Sequence, residues 1–171
     1  MDNFAKLLNS SLRFLSYRPR SEKEVREYLN KKSSIAKIPE EQKINLKSVI
    51  DLVITKLKEK EFLNDKEFIK WWIEQRTKVK PKSLQFIKYE LKQKGISNDL
   101  IEEVLENADF EIESDLDKAK KLAEKRIVRY ENEDPKKRYE KMVRFLASKG
   151  FDWNTIKKVI DQILNKRYNN D

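Results

Sequence analysis

The chain has 171 residues, of which 40% are charged and 38% hydrophobic, and it carries a formal net charge of +9. It contains no cysteine and no histidine, which excludes disulfides, zinc sites built on those residues, and Ser-His-Asp or Cys-His catalysis. Two glycines and four prolines are too few for a β-rich fold or a Gly-rich phosphate loop, so the composition favours long helices.

The apolar residues are not grouped as a membrane or export segment would require. No apolar run approaches the roughly 18 residues of a membrane span. The first ten residues, MDNFAKLLNS, lack the basic start and apolar core of a signal peptide. We therefore expect a cytoplasmic protein that has no association with a membrane.

The charge is divided into blocks along the chain. Residues 66–95 hold nine basic and three acidic side chains, and residues 118–149 hold twelve basic and five acidic ones. Between them, residues 96–117 hold nine acidic side chains and no basic one. The basic blocks indicate a polyanion or an acidic protein groove as partner, and the alternative is a solvated helical surface rich in lysine and glutamate.

The apolar spacing predicts three helices in the first third of the chain. The first ends before Pro19, because the residue before a proline avoids the α region. Ser21 then caps a second helix, and Glu24 completes a capping box. Residues 33–44 break the pattern and predict a loop. The apolar residues of the first and third helices are Phe4, Leu7, Leu8, Leu12 and Leu15, and Leu46, Val49, Ile50, Val53 and Leu57.

The middle of the chain predicts three more helices. Asn64 or Asp65 caps the fourth, which ends near Val79, with Phe68, Ile69, Trp72 and Ile73 facing inward. Pro81 suits the first turn of the fifth helix. Gly95 ends that helix as a left-handed cap, and Ser97 caps the sixth.

The last third predicts the seventh, eighth and ninth helices. The seventh runs from about residue 115 to 131, and Pro135 opens the eighth. Gly150 closes the eighth helix, and Asp152 caps the ninth.

The sequence repeats itself with a shift of 55 residues. LKQKGIS at 91–97 aligns with LASKGFD at 146–152, so that both glycines of the chain fall at one position of the repeat. This indicates tandem three-helix units of about 50 residues, which touch mainly their neighbours. We predict an all-α protein with an elongated, curved body of three repeats, at residues 1–63, 64–112 and 113–171.

Three motifs, in this order, resemble the RecX family, the bacterial regulators of the RecA recombinase. They are LSYRPRSEKEVREYL at 15–29, FLND at 62–65 followed by Phe68, and LKQKGISNDLI at 91–101. With the third repeat, the resemblance covers nearly the whole chain, and the 33–44 insertion departs from it. It implies a protein without catalytic activity that binds the RecA filament on single-stranded DNA and depresses its ATPase and strand exchange. We expect a monomer without a cofactor or a metal, which also touches DNA phosphates.

Basic and aromatic residues in the first and second repeats are the candidates for contact with RecA or DNA. Trp71 is expected to be the exposed member of the Trp71–Trp72 pair. It is then a lid over the junction of two repeats, or else a partner contact or a stacking platform for a base. Ser21, Asp65, Gly95, Ser97, Gly150 and Asp152 are expected to act as structural caps. The candidate contact residues are Arg18, Arg20, Arg26, Lys70, Trp71, Arg76, Lys78, Lys80, Lys82, Lys88 and Lys92.

Two other functions compete with regulation of RecA. A helical protein could use the same basic surface to act on DNA directly, without RecA. A metal-dependent nuclease would need a carboxylate cluster. The acidic residues of 96–117 lack the spacing of a metal loop, which favours a solvated face or one paired with bases of a neighbouring unit.

Overall fold

The computed structural model describes residues 3–33, 40–109 and 112–168, and their secondary structure is helical without strands. This confirms the all-α prediction. A π-helical turn, Gln75–Val79, follows the fourth helix, and a 3₁₀ turn, Val128–Tyr130, follows the seventh. The helices are α1 (Asn3–Leu15), α2 (Glu22–Lys32), α3 (Glu40–Glu59), α4 (Asp65–Glu74), α5 (Leu84–Gln93), α6 (Asn98–Glu106), α7 (Asp115–Ile127), α8 (Pro135–Ala147) and α9 (Trp153–Tyr168).

The loop predicted at 33–44 extends too far towards the C-terminus. The helix α3 already begins at Glu40, whereas the prediction placed its start after residue 44. Residues 40–43, EEQK, are good helix formers but carry no apolar side chain, so a prediction from apolar spacing misses them. Residues 34–39 of the predicted loop lie outside the described residues.

The chain divides into two compact units that differ from the three repeats. The first unit comprises residues 1–71 and 91–106, and the second comprises residues 72–90 and 107–171. The repeat bounds and the elongated arrangement therefore stay predictions.

Each unit has a core of its own. In the first, α1, α2 and α3 pack on one another around Val25, Leu29, Val53 and Leu57, which are fully buried. In the second, α7, α8 and α9 pack on one another. The buried residues of that second core are Ala119, Ala123, Ile127, Met142, Leu146, Phe151, Ile156, Val159, Ile160 and Ile163.

The capping box predicted for α2 is present, and it also reaches a distant part of the first unit. Ser21 Oγ accepts from the Glu24 amide, and the Ser21 amide donates to the Glu24 carboxylate. The same hydroxyl donates to the Lys94 carbonyl at 2.7 Å. Next to it, the Glu22 amide donates to Asp65 Oδ1 at 2.9 Å. The start of α2 is therefore joined both to the corner that follows α5 and to the start of α4.

The second unit repeats this junction with different residues. Ser83 Oγ donates to the Gly150 carbonyl at 2.6 Å, while it accepts from the Phe86 amide as the N-cap of α5. The Leu84 amide donates to the Asp115 carboxylate at 2.9 Å. Because Ser83 is the cap, Pro81 lies before the helix, and the prediction that it occupies the first turn of α5 is wrong.

The glycine predictions are confirmed, with φ of +84° at Gly95 and +85° at Gly150. Each glycine also leaves room for a neighbouring side chain. A Cβ at Gly95 would lie 2.7 Å from Lys23 Cβ, and one at Gly150 would lie 2.6 Å from Phe86 Cβ. Both corners therefore require glycine for the backbone angle and for the close approach of the helix that docks on them.

Of the remaining caps, two are confirmed and one is corrected. Ser97 accepts from the Leu100 amide, and Asp152 accepts from the Thr155 amide at 2.9 Å. The cap of α4 is Asn64, whose side-chain oxygen accepts from the Lys66 amide at 2.9 Å. Asp65 is instead the acceptor for α2, as described above, and burial raises the pKa of its carboxyl.

Candidate partner-binding surfaces

Arg18 is held by an acidic residue at the start of α2, in the first unit. Its guanidinium lies 2.9 Å from Glu24, which also accepts from Lys94 Nζ at 2.7 Å. Burial would raise the pKa of Glu24, but the hydrogen bonds and charges of Arg18 and Lys94 outweigh it and keep that pKa below its ordinary value. Arg18 thus has a structural role in the Ser21 junction in addition to any role in binding.

The two tryptophans are both half-buried. Trp71 lies 6.1 Å from the Phe68 ring, and the Arg18 guanidinium lies 5.5 Å from the Trp71 ring centre. The Trp72 indole donates to Glu90 at 3.0 Å. The expectation of an exposed Trp71 and an inward Trp72 is therefore wrong. Because adjacent residues lie about 100° apart on a helix, both tryptophans can lie at the edge of the core, while Ile73 is buried.

Arg20 and Arg26 are also engaged within the first unit. The Arg20 guanidinium lies 4.0 Å from the centre of the Phe14 ring. Burial lowers the pKa of Arg20, as does the charge of Arg18, and its buried Nε atom has no hydrogen-bond partner among the described residues. Arg26 forms ion pairs with Glu22 at 2.7 Å and with Asp51 at 2.5 Å, and the second of these joins α2 to α3.

The remaining candidates of the first unit are Lys70 and Lys92. Lys70 Nζ lies 3.4 Å from Glu67 on its own helix. Lys92 is exposed near the end of α5. The structure thus leaves Lys92 more accessible to a partner than the three arginines.

In the second unit, the segment after α4 carries the basic residues that were predicted to meet a partner. Arg76 is the least available of them, because its Nε lies 2.6 Å from Glu90 and its guanidinium lies 4.5 Å from the Trp72 ring. Lys78 is paired with Glu74 at 2.7 Å, yet it and Lys80 are exposed.

Lys82 and Lys88 are both half-buried in the same unit. Lys82 Nζ lies 4.1 Å from the centre of the Phe86 ring and donates to the Ser148 carbonyl at 3.2 Å. Burial lowers the pKa of Lys82, and the positive charge of Lys149 lowers it further.

Sequence reasoning named no contact residue in the basic block 118–149, although the structure places cations on aromatic rings there. Arg126 lies 4.8 Å from the Phe145 ring centre and 5.5 Å from that of Tyr130, and Lys149 lies 5.4 Å from Phe145. The sequence pattern that could have revealed these contacts is a cation and an aromatic residue four positions apart, which places both on one face of a helix. It occurs at Lys82–Phe86, Arg126–Tyr130 and Phe145–Lys149.

A buried lysine was also missed. Lys118 is 1% exposed, and its Nζ lies 2.6 Å from Asp115 and donates to the Lys82 carbonyl at 3.1 Å. Asp115 in turn accepts from the Leu84 amide. The pair fixes the backbone that enters α5, within the second unit.

The acidic segment 96–117 is partly engaged in ion pairs. Glu103 lies 2.5 Å from Lys66 in the first unit, and Glu113 lies 2.6 Å from Lys121 in the second. In the part of the chain that the structure describes, no three acidic residues are grouped so that they could hold a metal ion. None of the described helices combines the length and apolar character needed to cross a membrane.

Comparison with known proteins relates this arrangement to one family. Family models of RecX match the chain in three places: the first three-helix domain at residues 8–33, the second at 64–105 and the third at 113–160. Together these matches cover more than half of the chain. The chain belongs to the RecX family.

Individual RecX proteins resemble it over almost all of its length. The regulatory protein RecX of Clostridium perfringens (strain 13) is 35% identical over 98% of this chain, which spans 73% of that relative. The regulatory protein RecX of Leuconostoc mesenteroides is 29% identical over 95% of this chain, which spans only 56% of that relative. The crystal structure of RecX from Lactobacillus salivarius has a TM-score of 0.66 at 28% identity, and it covers 93% of this chain and 95% of the other.

Proposed function

We propose that the chain binds the RecA filament on single-stranded DNA and lowers its ATPase and strand-exchange activity, without chemistry of its own. The observation that carries the proposal is the match of three successive RecX domains along residues 8–160. The relatives that match almost the whole length of this chain are named regulatory protein RecX. The RecX resemblance points to RecA as the partner that they regulate.

The distribution of charge supports a polyanionic partner. A filament that holds single-stranded DNA keeps part of the negative field of the phosphates, which attracts basic segments at long range. Lys78 and Lys80 are exposed in the second unit and meet this requirement. The acidic segment 96–117 would be repelled by the same field.

Co-sedimentation and an ATPase assay test the proposal. RecA filaments are assembled on circular single-stranded DNA with ATP, and the full chain is added over a range of concentrations. We expect the chain to sediment with the filaments and the ATPase rate to fall as filaments are occupied. A chain that stays in the supernatant, or that sediments without changing the ATPase rate, would count against the proposal.

The order of addition separates this function from direct action on DNA. A RecA regulator should inhibit filaments that are already assembled, at concentrations where it binds little naked DNA. A protein that acts on DNA directly should inhibit only when it is added before RecA, because it then competes for the strand. The second result would replace the proposed function by the alternative.

A further inference from the structure

Five residues of the second unit form a surface on which cations lie over aromatic rings. Lys82 lies over Phe86 at 4.1 Å, while Arg126 and Lys149 lie over Phe145 at 4.8 and 5.4 Å. All five side chains are half-buried, so that each keeps an accessible part. We call Lys82, Phe86, Arg126, Phe145 and Lys149 the cation–aromatic surface.

Among the residues that the structure describes, the three cations of this surface have no acidic partner. Within the described ranges, no carboxylate lies within 4 Å of Lys82, Arg126 or Lys149, although the chain forms many ion pairs elsewhere. Glu90 also acts on Lys82 electrostatically, but its carboxylate is engaged by Trp72 and Arg76.

The positive charges of this surface repel one another. The charge of Lys149 adds to burial in lowering the pKa of Lys82. A bound polyanion would remove this repulsion, whereas the isolated chain has to sustain it.

The backbone beneath these side chains is fixed before any ligand arrives. Buried Lys118 donates to the Lys82 carbonyl, Ser83 Oγ donates to the Gly150 carbonyl, and the Ser83 amide donates to the Lys149 carbonyl at 3.1 Å. The segments that carry Lys82 and Lys149 are therefore tied together. A ligand that bridges these two segments therefore binds with little loss of backbone entropy.

We propose that the cation–aromatic surface binds single-stranded DNA directly, with Lys82, Arg126 and Lys149 on phosphates and with the rings of Phe86 and Phe145 against unpaired bases. Basic groups beside aromatic rings match a single strand, whose bases are free to stack on aromatic side chains. A duplex would engage the cations alone, since its bases are stacked on one another. The inference deepens the proposed function, because the filament carries single-stranded DNA.

Binding of the full chain to a short fluorescein-labelled oligo(dT) tests the inference without RecA. Fluorescence anisotropy is measured over a series of salt concentrations for the parent, for K82Q/K149Q and for a control, K157Q/K158Q. The control removes two exposed lysines of α9 in the same unit. Circular dichroism and urea unfolding establish that each variant keeps the parent fold.

We expect K82Q/K149Q to weaken binding by about tenfold or more and to reduce the slope of log K against log salt by about 1.4, because each phosphate contact on a single strand contributes about 0.7. The control should keep the parent slope. F145L should weaken oligo(dT) binding while it leaves the salt slope unchanged, since it removes a ring and no charge. A duplex of equal length should bind less tightly than oligo(dT) and should be insensitive to F145L.

Two results would overturn the inference. The first is equal loss of binding in K82Q/K149Q and in the control, which would mean that net charge alone acts. The second is unchanged oligo(dT) binding in K82Q/K149Q. If K82Q/K149Q then also loses its sedimentation on RecA filaments, the surface is assigned to a protein partner. Failure of the proposed function is seen separately, as a parent chain that binds oligo(dT) but not the filament.

Discussion

Ser21 and Lys94 are joined by a 2.7 Å hydrogen bond between the serine hydroxyl and the lysine carbonyl, across 73 residues of sequence. Ser83 and Gly150 are joined in the same way at 2.6 Å. In both cases the serine caps the second helix of one repeat, and the carbonyl belongs to the Lys-Gly corner of the next repeat. One hydroxyl therefore closes a helix and joins two repeats, which explains why this corner is the best-preserved part of the internal repeat.

The glycine corners give the first prediction. Gly95→Ala should destabilise the chain by about 2 kcal/mol, because the positive φ resists a side chain and the added Cβ would meet Lys23. Ser33→Gly is the matched control, since Ser33 ends α2 at the same position of the first repeat with an ordinary φ of −77°. Urea unfolding should show little change or a small loss for this control. Parent-like stability of Gly95→Ala would contradict the close packing of α2 on this corner.

The shared hydroxyl gives the second prediction. Ser21→Ala removes both the cap of α2 and the bond to the Lys94 carbonyl, and it should cost about 2 kcal/mol. Ser97→Ala removes only an exposed cap and should cost about 1 kcal/mol or less. Chemical denaturation of the two variants measures the difference. Equal losses would mean that the junction bond adds nothing to the cap.

Acid should weaken the first unit through Glu24. Its folded-state pKa is depressed, so its contribution to stability is complete above the unfolded pKa of 4.5 and is lost as the pH falls through the folded value. Glu22 behaves in the same way, whereas Asp65, whose pKa is raised by burial, opposes the trend. Glu24→Gln should therefore lower the urea midpoint at pH 7 and flatten its decline towards pH 4. The control is Glu27→Gln, which removes an exposed carboxylate and should keep the parent's dependence of the urea midpoint on pH. If Glu24→Gln also keeps that dependence, the prediction is wrong.

The helices were largely predictable from sequence because their apolar spacing, caps and glycines are local signals. The start of α3 was not, since residues 40–43 have helix propensity without an apolar side chain. The Ser21 cap could be predicted, but its bond to the Lys94 carbonyl could not, because nothing local marks a partner so distant in sequence. The same holds for Arg18, which the sequence marked as a candidate contact residue and which is held by Glu24 in the structure.

Buried Lys118 gives the fourth prediction. Lys118→Met leaves the Asp115 carboxylate without its ion-pair partner and the Lys82 carbonyl without its donor, and it should destabilise the chain by about 3 kcal/mol. The control is Lys121→Met, whose exposed ammonium pairs with Glu113 and should contribute about 1 kcal/mol or less. Thermal or urea unfolding compares them. If the two variants are equally stable, the Lys118 network does not hold the entrance to α5.

The last prediction concerns which face meets the filament. Lys78 and Lys80 are exposed, whereas Arg76 is held by Glu90 and Trp72, so a charge reversal that spares Arg76 and Lys82 changes the field without disturbing packing or the cation–aromatic surface. Lys78→Glu with Lys80→Glu should weaken inhibition of the RecA ATPase by about tenfold or more, because four units of charge change on a segment that we propose faces the phosphates of the filament. Lys157→Glu with Lys158→Glu changes charge equally on α9 and should inhibit as the parent does. Glu102→Gln, Glu103→Gln and Glu106→Gln together should leave inhibition unchanged or improve it, since they remove repulsion. If inhibition survives the lysine reversal and is lost in the glutamine variant, the acidic helix α6 meets a basic surface of RecA, and the proposed orientation is reversed.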